Sequence, residues 1–240
     1  MKSIPFEMSI ESDIEVMRAE TFWTKEPETL AWIDTMPKWD HFIDVGANIG
    51  IYSLYAASRG MAVDAFEPDP KNFARLRKNI KLNPKIMGTI IEHAVAVTDR
   101  SGLGRLAVVN DENGSSGSQF NVMVNEGGGR IFPTAVLATV GLTLDDFKVM
   151  NLPQNVHVKI DVDGQELKVL AGMVETLKDK CLKSVLIEVN GPDRGVVATA
   201  VLIANGFKLD KNLMKMPNHS TFRREKDGIP ARNLIFRRVN

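Results

Sequence analysis

The stretch His41-Phe42-Ile43-Asp44-Val45-Gly46-Ala47-Asn48-Ile49-Gly50 decides the fold. Its first half is an apolar run of strand length, and its second half is a glycine-rich turn. Tyr52, Leu54, Tyr55 and Ala56 continue as a helix that Gly60 is placed to end. Met61 to Phe66 reads as a second strand, closed by Glu67-Pro68-Asp69-Pro70. Pro70 suits a first helical turn, and Phe73, Leu76 and Ile80 recur at helical spacing. Strand, glycine turn, helix and strand make one βαβ unit of a parallel sheet.

The same alternation continues outward. Thr89 to Val97 predicts a third strand and Val156 to Ile160 a fourth. A helix with Leu167, Leu170, Met173, Val174 and Leu177 on one side follows, then a fifth strand over Ser184 to Val189. After a helix over 196–204 and a stop at Gly206 come two late strands, near Phe207–Leu209 and Asn233–Val239. A polar loop separates that pair, so an antiparallel strand is permitted at the sheet edge. The expected fold class is α/β, a mostly parallel, doubly wound sheet with an antiparallel edge strand.

Residues 1–40 read as a helical N-terminal extension packed on the sheet. Residues 99–155 form a long polar passage with turn chemistry at Asn110–Ser118 and a second flexible point at Gly127-Gly128-Gly129. A passage of that length is uncommon without function, so it is read as short strands plus a lid or substrate loop that orders on binding. No separate second domain is expected; 1–240 is taken as one.

Composition narrows the classes. Hydrophobic residues at 44% and charged residues at 25% exclude disorder. Thirty basic against thirty acidic residues give no general case for nucleic acid, and the pairs Arg223-Arg224 and Arg237-Arg238 lack interleaved aromatics. Nine acids against four bases in 1–40, and nine bases against three acids in 206–240, are either solvated faces or a basic tail meeting an anionic substrate. The single cysteine, Cys181, excludes an internal disulfide framework, and the scattered histidines hold no zinc pattern. Acids at the start where a signal peptide needs an apolar run, and no apolar run of membrane length, give a cytoplasmic expectation.

The glycine turn also selects a ligand. An acid at the end of the second strand, Glu67, stands 23 residues after Asp44, where ribose hydroxyls are bound in such sheets. Dinucleotide sites use G-x-G-x-x-G to seat a pyrophosphate. Here the pattern is G-x-x-x-G, with Asn48 in place of the second glycine and Asp44 just before it. A carboxylate there repels pyrophosphate and favours a cationic ligand, which points to S-adenosylmethionine. A nicotinamide-dependent oxidoreductase is the alternative, as is a non-catalytic binding module of the same fold.

The segments DVGANIGIYSLYAA, AFEPDPKNFARLRKNIKLN, VGLTLDDF (from Val140) and KIDVDGQELKVLAGM (from Lys159) resemble the FkbM family of class I S-adenosylmethionine-dependent methyltransferases. The resemblance covers about residues 40–190; Asp163 stands where the family usually has Glu. It implies a Rossmann-like methyltransferase fold, S-adenosylmethionine as donor and usually a hydroxyl acceptor, here a sugar, glycan or secondary metabolite. It also implies that Asp44, Gly46 and Gly50 lie around the methionine end of the cofactor, that Glu67 binds ribose with Asp69 in the following turn, and that Ala94 and Val95 flank adenine. Asn48 reaches either the cofactor or its own backbone.

The residues themselves suggest the chemistry. Methyl transfer to an alcohol needs the oxygen aligned behind the methyl carbon and a base to take its proton. Asp161 and Glu188, at the carboxyl ends of the fourth and fifth strands, are candidates, with Asp161 first; His219, in a late loop, is a third. Asp163 and Glu166 read as a capping box for the next helix. No metal site is assigned. Lys159, among apolar strand neighbours, either snorkels or pairs with a buried acid.

Overall fold

The computed structural model describes residues 3–123, 129–148, 155–216, 219–220 and 231–239. Gly127 and Gly128 of the glycine run and the pair Arg223-Arg224 lie outside them. Two helices, α1 (Asp13–Glu20) and α2 (Pro27–Asp34), precede β1 (His41–Val45). There follow α3 (Ile51–Ser58), β2 (Ala62–Phe66), α4 (Pro70–Leu82) and β3 (Thr89–His93). Beyond a middle region the chain continues through β8 (Val156–Ile160), α6 (Glu166–Ala171), α7 (Val174–Lys178), β9 (Leu182–Asn190), α8 (Pro192–Ala204), β10 (Phe207–Leu209), α9 (Lys211–Met214) and β11 (Ala231–Arg238). The middle holds β4 (Ala96–Val97), β5 (Gly102–Val108), β6 (Gln119–Phe120), β7 (Ala135–Leu142) and α5 (Leu144–Lys148).

The principal sheet has the order β10-β11-β9-β8-β1-β2-β3. The strands β3, β2, β1, β8 and β9 pair in parallel, and β11 runs antiparallel to both β9 and β10. The antiparallel strand therefore lies one place in from the edge. The chain moves to one side of β1 for β2 and β3 and returns to the other side for β8 and β9. The carboxyl ends of β1 and β8 thus bound the crevice where open α/β sheets bind ligands.

Each of the five residues of β1 is buried, as its central place and apolar composition require. Alternation sends Ile43 and Val45 to the face shared with Val169, Met173 and Phe147, and Phe42 to the face covered by Trp32, Leu54 and Val63. Trp32 of α2 is wholly buried and donates its indole N–H to Ser184 Oγ at 2.9 Å, the partner a buried indole needs. The N-terminal helices are therefore part of the core on that face. The sequence ends are also tied: the buried Glu28 carboxylate of α2 accepts Asn233 Nδ2 of β11 at 2.8 Å and Ser220 N at 3.0 Å. Arg237 of the basic tail binds Asp210 at 2.6 Å, so a part of that tail's charge serves the fold.

Two expectations need correction. The single third strand is two: β3 stops at His93, whose ring is held by Asp64 and stacks on Phe66. The chain bends at Ala94-Val95, and β4 then pairs with Gly141 and Leu142 of β7 in a second sheet, ordered β4-β7-β5-β6. The helix after β8 is also two, α6 and α7, because the chain crosses Thr98 at Gly172, where a Cβ would lie 2.0 Å from the Thr98 carbonyl oxygen. Val174 is consequently half exposed instead of buried. Within the described part of 99–155 the expected short strands are present: β5 and β7 pair over seven residues and bury Leu106 and Val108 against Phe120.

Candidate active site

The site begins where β1 turns. Gly46 has φ +83°, and a Cβ there would stand 1.9 Å from the Asp161 carbonyl oxygen, so only glycine lets the β1 turn pass beneath the loop after β8. The N–H groups of Gly46 and Ala47 both donate to Phe66 O, binding this turn to the end of β2. Around it lies a cavity of about 200 Å³. Gly46, Asn48, Tyr52, Glu67, Lys159, Asp161 and Glu188 are among the residues that line it.

Glu67 is buried and holds two backbone N–H groups, Asn48 N on Oε2 and Asp69 N on Oε1, each at 2.8 Å. Burial pushes its carboxyl up to about 8, against the pull of those two donors and with added repulsion from Asp69 and Asp163. Each oxygen keeps an acceptor lone pair, and among the described residues no cation pairs with the group. It fits a ligand that brings hydroxyl donors, as a ribose does.

Asn48, at φ +52°, makes the contact with its own backbone. Its Oδ1 accepts the N–H of Ile49, and its Nδ2 donates to Ser115 O at 2.6 Å while the residue lines the cavity.

Asp44 sits below the turn instead of in the cavity wall. Its Oδ2 accepts Ser53 Oγ at 2.6 Å, and its Oδ1 has no hydrogen-bond partner and lies 3.9 Å from Lys159 Nζ. Burial raises its carboxyl above the ordinary range. Lys159, also buried, donates to Asp161 Oδ2 at 2.8 Å and stands 4.9 Å above the Tyr52 ring. Burial acts to lower the Lys159 ammonium, but the charges of Asp161, Asp44 and Glu26 outweigh it and hold the group above its usual value. Of the two roles open to Lys159, it takes the pairing with buried acids. The Tyr52 phenol is raised well above its ordinary value, by burial first and then by Glu26, so it remains a neutral donor.

The other expected site residues are placed differently. Gly50 lies at the start of α3 under Leu76, and Asp69 caps α4 by accepting Lys71 N at 2.9 Å. Ala94 is exposed and Val95 packs on the core; neither they nor Gly50, Asp69 and Asp44 line the cavity. His219 does not line the cavity: it is buried, with Nδ1 3.9 Å from Glu28 Oε1, and burial lowers its imidazole. The capping box does not form. The helix begins at Glu166 with Gln165 before it, Glu166 Oε1 accepts Gly164 N at 2.8 Å instead of Asp163 N, and Asp163, at φ +52°, turns its carboxylate to Gly117 N at 2.6 Å. The carboxylates of Asp161, Asp163 and Glu166 thus reach three different partners, and no metal-binding group is found among the described residues.

Asn72, not singled out from the sequence, and Ser115–Ser118, within the turn cluster read there as part of a lid or substrate loop, also line the cavity. The one available signal was the turn cluster, which does not say where the loop lands.

The mostly parallel sheet thus carries a cavity at its switch point, with the buried Glu67 carboxylate in its lining. The chain matches the Methyltransferase FkbM domain over residues 44–209 and belongs to that family. It is a methyltransferase with S-adenosylmethionine as its methyl donor, which displaces the nicotinamide-dependent alternative. It is 30% identical over 200 residues to the 31-O-demethyl-FK506 methyltransferase FkbM of Streptomyces tacrolimicus, covering 70% of this chain and 72% of that one. It is 26% identical over 148 residues to the hexuronic acid methyltransferase AglP of Haloferax volcanii, covering 61% of this chain and 54% of the relative. Among solved structures it is similar to the magnesium protoporphyrin IX methyltransferase of Synechocystis PCC 6803, with a TM-score of 0.48, 10% identity, and coverage of 98% and 88%. No described helix is long and apolar enough to cross a membrane.

Proposed function

We propose that the protein O-methylates a hydroxyl of a sugar, glycan or secondary metabolite, acting as one methyltransferase domain in the cytoplasm. The observation that carries this reading is the continuity of one cavity from Glu67, past Gly46, to Asp161 and Glu188 at the carboxyl ends of β8 and β9. Both named relatives act on acceptors of this kind, a 31-O-demethyl compound and a hexuronic acid.

In this reading the bound cofactor supplies an electrophilic methyl group on a sulfonium. Glu67 accepts the ribose hydroxyls, and Gly46 and Asn48 wall the ligand. Asp44 acts from beneath, its negative charge favouring a cationic ligand. Asp161 accepts the proton of the acceptor hydroxyl and orients its oxygen, and Glu188 forms the opposite wall. Lys159 lies between Asp44 and Asp161 and pairs with both. Alignment contributes independently of the base, because holding the oxygen at near-attack distance removes much of the entropic barrier.

The test is methyl transfer from labelled S-adenosylmethionine to hexuronic acids, neutral sugars and macrolide alcohols. Label in an alkali-stable ether supports the reading. Label only in an alkali-labile ester or on nitrogen overturns it.

A further inference from the structure

The insert does not hang free over the site; three separate elements grip it by its backbone. Asn72, buried in the first turn of α4, uses both ends of its amide: Oδ1 accepts Gly114 N at 2.8 Å and Nδ2 donates to Ser115 O at 3.0 Å. From the β1 turn, Asn48 Nδ2 reaches the same Ser115 carbonyl. From α1, Arg18 donates through Nε and Nη2 to Gly114 O at 2.9 and 2.7 Å, and Ser12 Oγ donates to Asn113 O at 2.9 Å. Beyond the cavity Gly117 N is held by Asp163, and Ser118 Oγ donates to Asp69 at 3.1 Å. Between these anchors Ser115–Ser118 form a wall of the cavity that Glu67 also lines.

We propose that residues 110–119 are a clasp over the nucleoside end of the cofactor cavity, with Asn72 and Arg18 as the positioning residues that hold it shut. The inference rests on the cofactor reading of this cavity, which binding of S-adenosylhomocysteine to the parent tests separately. The segment has little apolar anchoring, so its closure depends on these hydrogen bonds, each a modest net contribution. A nucleoside bound between Glu67 and Ser115–Ser118 leaves only when they open. Helix α1, far from the cofactor motif in sequence, thereby governs cofactor exchange.

Gly114 allows a test without touching the ligand, because it does not line the cavity. It holds φ +80°, where an alanine is strained, and its Cβ would meet Glu15 and Ile14 at 3.4 Å. Association and dissociation of S-adenosylhomocysteine should be followed by surface plasmon resonance on the full chain. Gly114→Ala and Asn72→Asp should each raise the dissociation rate about tenfold or more and also speed association, since an open clasp eases both. Arg18→Ala should do the same more weakly, with Arg18→Lys partly restoring the parent rates. Glu67→Ala, which removes a direct contact, should change dissociation alone. Hydrogen exchange should show ligand-induced protection of residues 114–117 in the parent and its loss in Gly114→Ala. Folded Gly114→Ala and Asn72→Asp proteins with parental rates, or with faster dissociation and unchanged association, would overturn the clasp.

Discussion

Lys159 Nζ lies 2.8 Å from Asp161 Oδ2, one residue beyond the end of the strand that carries the lysine, in a site where the ammonium is almost wholly buried. Across the β1–β8 ladder the residue beside Lys159 is Asp44. A single buried cation therefore serves two carboxylates from adjacent central strands.

Removing it should be costly. In Lys159→Met the buried Asp44 carboxylate loses the ammonium beside it, and breaking a buried pair in this way costs about 3–5 kcal/mol. The Asp44 carboxyl, already raised by burial, then titrates higher still in the folded protein, so the deficit is largest above neutral pH and shrinks on acidification. Urea denaturation at pH 5 and pH 8 checks this; a loss below about 1 kcal/mol at pH 8 contradicts the shared-cation account.

Glu67 gives a second pH effect, of the ligand-free protein. Its folded-state carboxyl is raised to about 8 from 4.5, so between those values the folded form binds more protons than the unfolded one. Stability contributed by this group is present below about 4.5 and is lost as pH rises through 8, at no more than about 1.4 kcal/mol per pH unit. Glu67→Gln should flatten that decline and be the more stable protein at pH 9, while binding S-adenosylhomocysteine more weakly by about 1.5–3 kcal/mol. Melting curves from pH 5 to 9 and calorimetry measure the two effects.

For catalysis, Asp161→Asn should lower single-turnover methyl transfer by about 100-fold with cofactor affinity nearly unchanged. Glu166→Gln keeps the oxygen that accepts Gly164 N and should lose much less. His219→Ala should leave cofactor affinity intact, because His219 does not line the cavity. Parental turnover by Asp161→Asn removes that residue from the proton's path.

Gly46→Ala combines a disfavoured backbone conformation with a clash against the Asp161 carbonyl. It should cost about 2–5 kcal/mol and loosen the junction of β1 with β8. Equilibrium unfolding in urea reads the first effect; a change below about 1 kcal/mol means the two turns can separate freely.

The sequence carried the site's frame where local chemistry is sufficient. His41–Val45, the turn at Gly46 and the helix start at Pro70 follow from periodicity and turn residues, and Glu67 follows from its spacing. Contacts made across the chain were not legible. His93 ends its strand because Asp64 and Phe66 hold its ring, and Asp163 leaves its cap because Gly117 offers an N–H. His219 shows the same limit: its neighbours read as loop, yet Glu28, on a helix far earlier in the chain, takes it into the interior.

The bonds between Glu28 and Asn233 join positions 205 residues apart. During synthesis, a nascent chain that has released α2 must wait for β11 before the Glu28 carboxylate meets the side-chain amide that satisfies it. Until then β9 presents a seven-residue open edge, Ser184 to Asn190, with Val185, Leu186 and Ile187 still unpaired with Phe236, Ile235 and Leu234. Such an edge is a template for pairing with other chains. Ribosomes stalled before β11 should therefore release material that aggregates, and the late strand works as a timer on solubility as well as a part of the sheet.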